Sequence, residues 1–477
     1  MTKKTLIRFG LFFGILAISV PLPAQGPWSL EDCINHALEQ NIQIKQQKLG
    51  VEVAKENLSQ SRANRFPTFN ANASHNYSYG RSIDPFTNEF VTETVRSNSF
   101  GVSSGVTLFS GFQIWNTIRQ GEIDLRASTY DVEAMQNDIS MAVASAYLQI
   151  LFNKELLEIA RSQLEITRQQ VDRTARLVEA GSLARGSLLN IEAQAATEEM
   201  QLVDAENRLE IAYLDLVQLL DLEEVEGFEI EVPEIAILPD DELDKSPMQI
   251  YAEAVNLQPD VRSSELRVAS AEKEVKIAKG GRSPMLRMSG SYGTGYSEGS
   301  LEPVATGEFD DPQLIGTTES GEPVFGLPRP VIDTRVVPFS DQLNENLSRS
   351  IGFQLTIPIF NNYQTRANIG RSRIALENAK LSNQLVRDQL FKTIQQAHAD
   401  AKGALKRYIA TEKNVVALEE SFRYTEQRFN VGMVNTLEYN DAKTRLSQAQ
   451  SDLLQAKYEF VFRVKILDFY LGKPLTI

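Results

Sequence analysis

GVTLFSGFQ occupies residues 105–113, and LTIPIFNNYQ occupies residues 355–364. Each is an apolar run that alternates with other residues and stops at a Phe. Small polar residues follow, then an aromatic and a Gln. Alternation with period two is the signature of a β-strand whose two sides meet different surroundings. Beyond the Gln the apolar period lengthens to that of a helix, so the stretch is a strand-to-helix junction. The chain makes it twice.

The repetition is not local. Phe360 lies 251 residues after Phe109, and the same spacing joins Gln113 to Gln364, Ile118 to Ile369, Gly181 to Gly432 and Leu220 to Leu471. Upstream the spacing is 217, for Ala54 with Ala271, Arg65 with Arg282 and Pro67 with Pro284. The second copy therefore carries 34 extra residues between its Pro and its Phe. Two long copies with one change of length are one supersecondary unit used twice.

Bulk properties set the surroundings. Lys3, Lys4 and Arg8 precede the apolar run LFFGILAISV and then PLPAQG, which reads as a secretory signal over residues 1–24. Without it the chain has 45 Lys and Arg against 63 Asp and Glu, a net charge of −18 that disfavours nucleic acid as a partner. No later stretch is apolar for long enough to be a transmembrane helix. Cys33 is the one cysteine, which excludes an intrachain disulfide framework; the preceding LED lacks the small residue of a lipidation site, and a half-buried helical position is expected for it.

The strands have a consistent chemistry. Phe69, Ala71, Ala73, Tyr77 and Tyr79 alternate with Thr68, Asn70, Asn72, Ser74, Asn76 and Ser78. Phe100, Val102, Val106 and Leu108 oppose Gly101, Ser103, Gly105 and Thr107. In the second copy Leu286, Met288, Tyr292 and Tyr296 oppose Ser289, Ser291, Gly293 and Gly295, and Ile351, Phe353, Leu355, Ile357 and Ile359 oppose Ser350, Gly352, Gln354 and Thr356. Four strands of about ten residues, apolar on one side and small and polar on the other, fit a transmembrane β-barrel. A soluble sandwich seldom makes every inner face so small and polar. Lipid leaves an open strand edge unsatisfied, and four strands cannot close, so several chains must build one barrel.

The remainder is helical with a strict period of seven. Val143, Ile150, Leu157, Leu164, Val171 and Val178 form one series, and Ile394, Ala401, Tyr408, Val415, Phe422 and Phe429 its counterpart. After each glycine the register resumes, as Leu188, Ala195, Leu202, Leu209 and Leu216, and as Tyr439, Leu446, Leu453, Phe460 and Leu467. This predicts left-handed coiled-coil packing. Helices from about Phe112 to Val178 and from Tyr363 to Phe429 hold no Pro and should each reach about 100 Å at 1.5 Å per residue. Gly181 and Gly432 end them and start sharp αα-hairpins. The organisation read from the sequence is a first repeat over 25–221, with strands near 67–80 and 98–109 and a turn near 181. An acidic linker over 222–246 follows. The second repeat covers 247–477, with strands near 284–297 and 347–359, a turn near 432, and a long exposed loop over 298–346.

These features together resemble the TolC family of outer-membrane efflux proteins. The resemblance covers nearly the whole chain after the signal. It is carried by RFPTF and RSPML at strand entry, by VTLFSGF and IPIFNNY at strand exit, and by RFNVGMVNTLEYNDAKTRL at the second turn. It implies a mostly helical fold with transmembrane β-strands: a homotrimer whose chains give four strands each to a twelve-stranded outer-membrane barrel, continued by a periplasmic α-helical barrel. It implies a passive duct that works with a periplasmic adaptor (membrane fusion protein) and an inner-membrane transporter, without cofactor, metal or catalysis. By position, the adaptor would meet the turns at Ala180, Gly181, Ser182 and Leu183, and at Val431, Gly432, Met433 and Val434. Acidic residues six and nine after the second glycine would ring the periplasmic entrance; here these are Glu438 and Asp441. The family's polar latch near the gate is mostly absent: Phe429 lacks a hydroxyl, Val434 stands for a basic residue and Ser187 for an acid.

Other functions fit less well. The three histidines, His36, His75 and His398, are scattered, and no CxxC, HExxH, GxSxG or P-loop pattern occurs, which disfavours an enzyme. A coiled-coil structural or adhesion protein without transport is the alternative. It would share the heptads but not the paired strands between helices.

Overall fold

The structure is a computed structural model that describes residues 26–83, 88, 90–91, 94–223, 227–233 and 241–476. The expected signal peptide and part of the acidic linker lie outside the described residues. In chain order the first copy forms α1 (Leu30–Gln40), α2 (Ile42–Ala63), β1 (Thr68–Ser78), the short β2 (Ser82–Ile83) and β3 (Phe90–Val91), β4 (Val95–Phe109), α3 (Gln113–Glu179) and α4 (Arg185–Leu220). The second forms α5 (Pro247–Ala254), α6 (Pro259–Gly280), β5 (Met285–Ser297), β6 (Leu301–Phe309), β7 (Leu314–Thr317), β8 (Pro323–Phe325), β9 (Pro330–Val336), α7 (Phe339–Glu345), β10 (Ser348–Thr356), α8 (Gln364–Asn430) and α9 (Thr436–Tyr470). The two long helices are 67 residues each. Among the described residues no helix is long and apolar enough to cross a membrane.

Contacts divide the chain into two compact units that do not follow the repeats. One takes residues 1–48, 131–261 and 387–477, the other 49–130 and 262–386, so each draws on both copies.

The second unit holds an antiparallel sheet in the order β1-β4-β5-β10. Phe100 lies opposite Ala73 on one side and Thr294 on the other, and Phe353 lies opposite Met288. The register therefore gathers most of the large apolar residues of all four strands on one face and most of the Ser, Gly and Asn on the other, with Asn98, Ser104 and Gly290 as exceptions on the apolar face. A bulge between Thr107 and Phe109 brings Phe109, not Leu108, opposite Leu286. Beyond it the chain reverses into the helix through two consecutive left-handed residues, Gly111 and Phe112 in copy one and Asn362 and Tyr363 in copy two. A Cβ on Gly111 would stand 2.6 Å from the Gly280 carbonyl oxygen, so glycine is needed there for space as well as for φ. Asn tolerates the same region in the second copy.

Residues 298–346 are exposed, but they are not a plain loop. β6 pairs with β9 and β7 with β8. Leu301 and Ala305 face Val336 and Ile332 across the first ribbon, while Arg335 Nε and Glu302 Oε1 pair at 2.6 Å on its other side. Proline is tolerated because each ribbon has only edge strands. Gln342 of α7 clamps the base: its Oε1 accepts from Ser297 N at 2.8 Å, and its Nε2 donates to the Ser297 and Val337 carbonyls at 2.9 and 2.8 Å.

The first unit holds the main core. Cys33, Ile44, Val143, Ile150, Leu216 and Leu220 are fully buried in it. Ser29 and Asp32 form a capping box at the start of α1. Cys33 is buried outright rather than half-buried, and burial pushes its thiol up to about 12. A smaller cluster joins Ile250 and Ala254 to Ile394, Ala401 and Leu467.

The sheet predicts an asymmetry. Arg at Phe353, on the apolar face, should cost about 2–4 kcal/mol and lower the yield of assembled protein in outer membranes, whereas Arg at the neighbouring Gln354 should be tolerated. Equal yields of the two variants would contradict the assignment of faces.

Candidate functional site

The turns of the two long hairpins lie in the first unit and share one local geometry. At the end of α3, Gly181 N donates to the Val178 carbonyl at 2.9 Å and Ser182 N to the Leu177 carbonyl at 2.8 Å, with Gly181 at φ +71°. At the end of α8, Gly432 N donates to Phe429 O at 3.0 Å and Met433 N to Arg428 O at 2.8 Å, with Gly432 at φ +76°. This double bond pattern closes a helix with a left-handed residue after it. No atom lies within 4 Å of where a Cβ would sit on either glycine, so both are there for φ alone. Ala180, Ser182 and Leu183 are exposed on the first turn, and Val431 and Met433 on the second, with Val434 half-buried. Two turns that place apolar side chains in water at hairpin ends are surfaces open to a partner.

Glu438 and Asp441 stand in the first and second turns of α9. The Glu438 amide donates to the Asn435 side chain, the helix N-cap, at 2.9 Å, while its carboxylate pairs with Arg428 of α8 at 3.6 Å. Asp441 pairs with Arg445 at 3.0 Å. Both carboxylates are more than half exposed and share their field with a guanidinium from their own hairpin. Phe429 stacks on Tyr439, with centroids 4.6 Å apart at 26°. Tyr439 is buried, and burial pushes its hydroxyl up to about 12. The ring pair thus ties α8 to α9 without using a hydroxyl on Phe429. Ser187 is half-buried in the first turn of α4, its amide donating to the Ala184 carbonyl at 3.0 Å.

The tie between the two hairpins lies elsewhere. Lys443 of α9 donates to the Gln163 carbonyl of α3 at 2.8 Å, and to Glu198 Oε1 and Oε2 of α4 at 3.2 and 3.3 Å. It also donates to Thr167 Oγ1, whose hydroxyl reaches Glu198 Oε2. Gln194 Nε2 adds a bond to Glu198 Oε1 at 2.9 Å. The Lys443 and Glu198 side chains are only 4% and 7% exposed. Removal from water holds the Lys443 pKa below its usual value, against the opposite pull of Glu198. A polar cavity of about 380 Å³ flanks the pair, lined by Gln201, Asp204, Arg208 and Gln448 among others. Toward the turns, Arg173 Nη1 donates to Asn430 Oδ1 at 2.5 Å, and away from them Tyr458 Oη of α9 donates to Glu155 Oε1 of α3 at 2.5 Å, so polar contacts link the hairpins on both sides of Lys443.

Sequence reasoning did not select Lys443 or Glu198, although a signal exists. Ile191, Glu198, Ala205 and Ala212 form a buried series of period seven with one charge in it. Seven residues after buried Thr436 comes Lys443. A charge at a seam position is costly without a partner, and two such charges on neighbouring hairpins point to each other.

Among the described residues no cluster of His, Cys, Asp and Glu is arranged to hold a metal. Known proteins give the decisive observation. The sequence model described as "Outer membrane efflux protein" matches residues 33–221 and 250–473. The chain belongs to the outer membrane efflux protein family. It is 23% identical to the outer membrane efflux protein BepC of Brucella suis, over 91% of this chain and 83% of that one. It is 21% identical to the outer membrane protein TolC of Escherichia coli, over 96% and 86%. Its fold matches the outer membrane channel CmeC of Campylobacter jejuni with a TM-score of 0.74 at 16% identity, covering 93% of this chain and 85% of that one. The chain is therefore an outer-membrane efflux channel with the TolC-like fold, and its helices are the periplasmic extension of its barrel strands.

The buried pair predicts a characteristic set of stabilities. Lys443→Met alone should destabilise the protein by about 3–5 kcal/mol, because it leaves Glu198 buried and unpaired, and Lys443→Met with Glu198→Leu should recover most of the loss. Denaturant titration of the detergent-solubilised channel measures both. The folded chain releases the Lys443 proton before the unfolded chain does. Wild-type stability should therefore rise relative to Lys443→Met as pH climbs through the lowered pKa toward 10.5. A relative fall over that range would contradict the burial argument.

Proposed function

We propose that three copies of this chain close one twelve-stranded barrel and form a passive duct. A periplasmic adaptor would dock at the hairpin turns, and an inner-membrane transporter would supply the driving force. The observation that carries this reading is the sheet β1-β4-β5-β10: its two outer strands have no neighbour among the described residues, and most of its large apolar side chains share one face. In lipid such edges must find partners, and the simplest partner for β10 is β1 of the next copy.

At the other end, Val431 and Met433 are exposed beside a glycine that sets the turn. They suit an apolar contact with an adaptor that meets the hairpin end-on. The resting state is held by the ties between hairpins, with Lys443 and Glu198 doing what a surface latch does in the family pattern. Their burial makes separation costly until an adaptor's contacts offset it. Glu438 and Asp441, once in each of three copies, gather six carboxylates near the entrance. Arg428 and Arg445 moderate that field, which still favours cationic over anionic passage.

Single-channel recording in planar bilayers tests the entrance. Glu438→Gln with Asp441→Asn should lower cation selectivity and weaken block by multivalent cations, with trimer yield unchanged. Unaltered selectivity would put these carboxylates on a solvated outer face instead.

A further inference from the structure

The level in the second unit where strands give way to helices carries a feature that conduction does not call for. Residues 58–67, 110–119, 275–284 and 361–370 are the ten on the helix side of each crossing. Together they hold seven Lys and Arg and no Asp or Glu, in a chain whose net charge is −15.

Aromatic rings crowd the same level. Phe109 meets Phe112 edge-on with centroids 5.7 Å apart, and Phe360 meets Tyr363 in the same way at 5.8 Å. Phe112 and Tyr363 are the left-handed residues of the two junctions, so the reversal of the backbone brings each ring back to the Phe that precedes it. An arginine lies over an aromatic at both. The guanidinium carbon of Arg65 is 5.9 Å from the ring centres of Phe66 and of Trp115, and that of Arg366 is 5.6 Å from the ring centre of Tyr363. Arg366 stands 251 residues after Trp115, so the two copies reach the same chemistry with different residues. Phe66, Phe112 and Trp115 are 65%, 64% and 57% exposed, as suits rings at a boundary between lipid and water.

At the first junction these groups form a pocket. The pairing of β1 with β4 starts at Thr68 opposite Gly105, whereas β4 runs on to Phe109. The overhang leaves a cavity of about 290 Å³, lined by Arg65, Val106, Phe109, Phe112 and Trp115 among others. Val106 and Phe109 lie opposite Met288 and Leu286 on the apolar face of the sheet, so one wall of the pocket continues the face that meets lipid. Arg62, one turn away, is paired with Glu122 at 2.9 Å. Arg65 donates its Nε–H to the Arg62 carbonyl at 3.2 Å, and its Nη groups have no hydrogen-bond partner among the described residues. The pocket thus combines an apolar wall, two aromatic rings and a guanidinium with donors to spare.

We propose that this pocket binds the headgroup of an anionic glycerophospholipid of the periplasmic leaflet. The phosphate accepts from the Nη groups of Arg65, and the glycerol end of the acyl chains rests on Val106 and Phe109. The guanidinium is already placed by the Arg62 carbonyl and the neighbouring rings, so it loses little freedom when a phosphate arrives. The surrounding belt of positive charge favours a lipid with net negative charge over a zwitterionic one. The site is complete within one chain and does not depend on how many copies close the barrel.

Quenching of Trp115 by brominated lipids tests it, in the full chain reconstituted into phosphatidylcholine vesicles. Trp28 is the other tryptophan, and Trp115→Phe supplies its signal for subtraction. Brominated phosphatidylglycerol should quench Trp115 severalfold more than an equal share of brominated phosphatidylcholine. Arg65→Gln should bring the two lipids level, whereas Arg329→Gln, the same charge change within the exposed segment 298–346, should leave the preference intact. Salt gives a second reading that needs no variant: the preference should shrink at 1 M, where the screening length is about 3 Å. Equal quenching by the two lipids in the wild-type chain would overturn the site. A preference that survives Arg65→Gln, or one that is unchanged at 1 M salt, would overturn it as well.

Discussion

Everything in this molecule follows from one deficit: a four-stranded sheet placed in hydrocarbon has two open edges. Each unpaired backbone N–H or C=O there costs several kcal/mol, because lipid offers no hydrogen bonds. The chain cannot repair this by itself. β1 and β10 are the first and last strands of the sheet, and the duplication that produced four strands left one free edge from each copy. Closure must come from outside the chain. Once the strands close into a ring, the helices that grow from them inherit a ring as well.

The same constraint explains why so much of the helical part is small, polar or only half-buried. A helix in such a ring has neighbours on two sides and water on the others, so its core is a narrow seam. Val143, Ile150, Leu157 and Leu164 fill that seam with large apolar side chains, while Thr167 and Thr174, also buried, continue it toward the turns. Where the seam thins, polar contacts take over: Lys443 with Glu198, then Arg173 with Asn430. A tightly packed apolar seam would hold the hairpins together permanently. Polar contacts, one desolvated at Lys443 and Glu198 and one exposed at Arg173 and Asn430, hold them yet can be exchanged for others, which suits a part that must separate.

Much of this was legible in the sequence because two periods dominate it. The period of two marked all four membrane strands, although β10 ends at Thr356 and leaves Ile357 and Ile359 outside it, and the period of seven marked both 67-residue helices to within a residue at each end. The glycines at 181 and 432 announced the turns, since only their backbone geometry is at stake. What remained hidden has physical reasons. The ribbons and short helix within 298–346 draw on Pro, Gly and acidic residues, whose composition reads as loop, and only the pairing of Leu301 with Val336 and of Glu302 with Arg335 reveals strands. The bulge at Leu108 shifts the pairing by one residue against an unbroken side-chain alternation, so the pattern does not reveal it. The cross-repeat division into two units reflects long helices that belong to both. Of the candidate site residues, Glu438 and Asp441 were chosen by position along the chain alone, and the partner of Glu438 on the other helix of its own hairpin, Arg428, depends on how two helices face each other. A charged residue on a helix ordinarily faces water, and only their place in buried series of period seven sets Lys443 and Glu198 apart.

The central claim is that this chain completes its barrel only with two further copies. Native mass spectrometry of the mature protein, extracted from outer membranes in mild detergent, tests it most directly. The account predicts a single dominant species of three chains, with no stably folded monomer, because a monomer keeps both strand edges open. A folded monomer that persists at high dilution, or a closed dimer with eight strands, would contradict it.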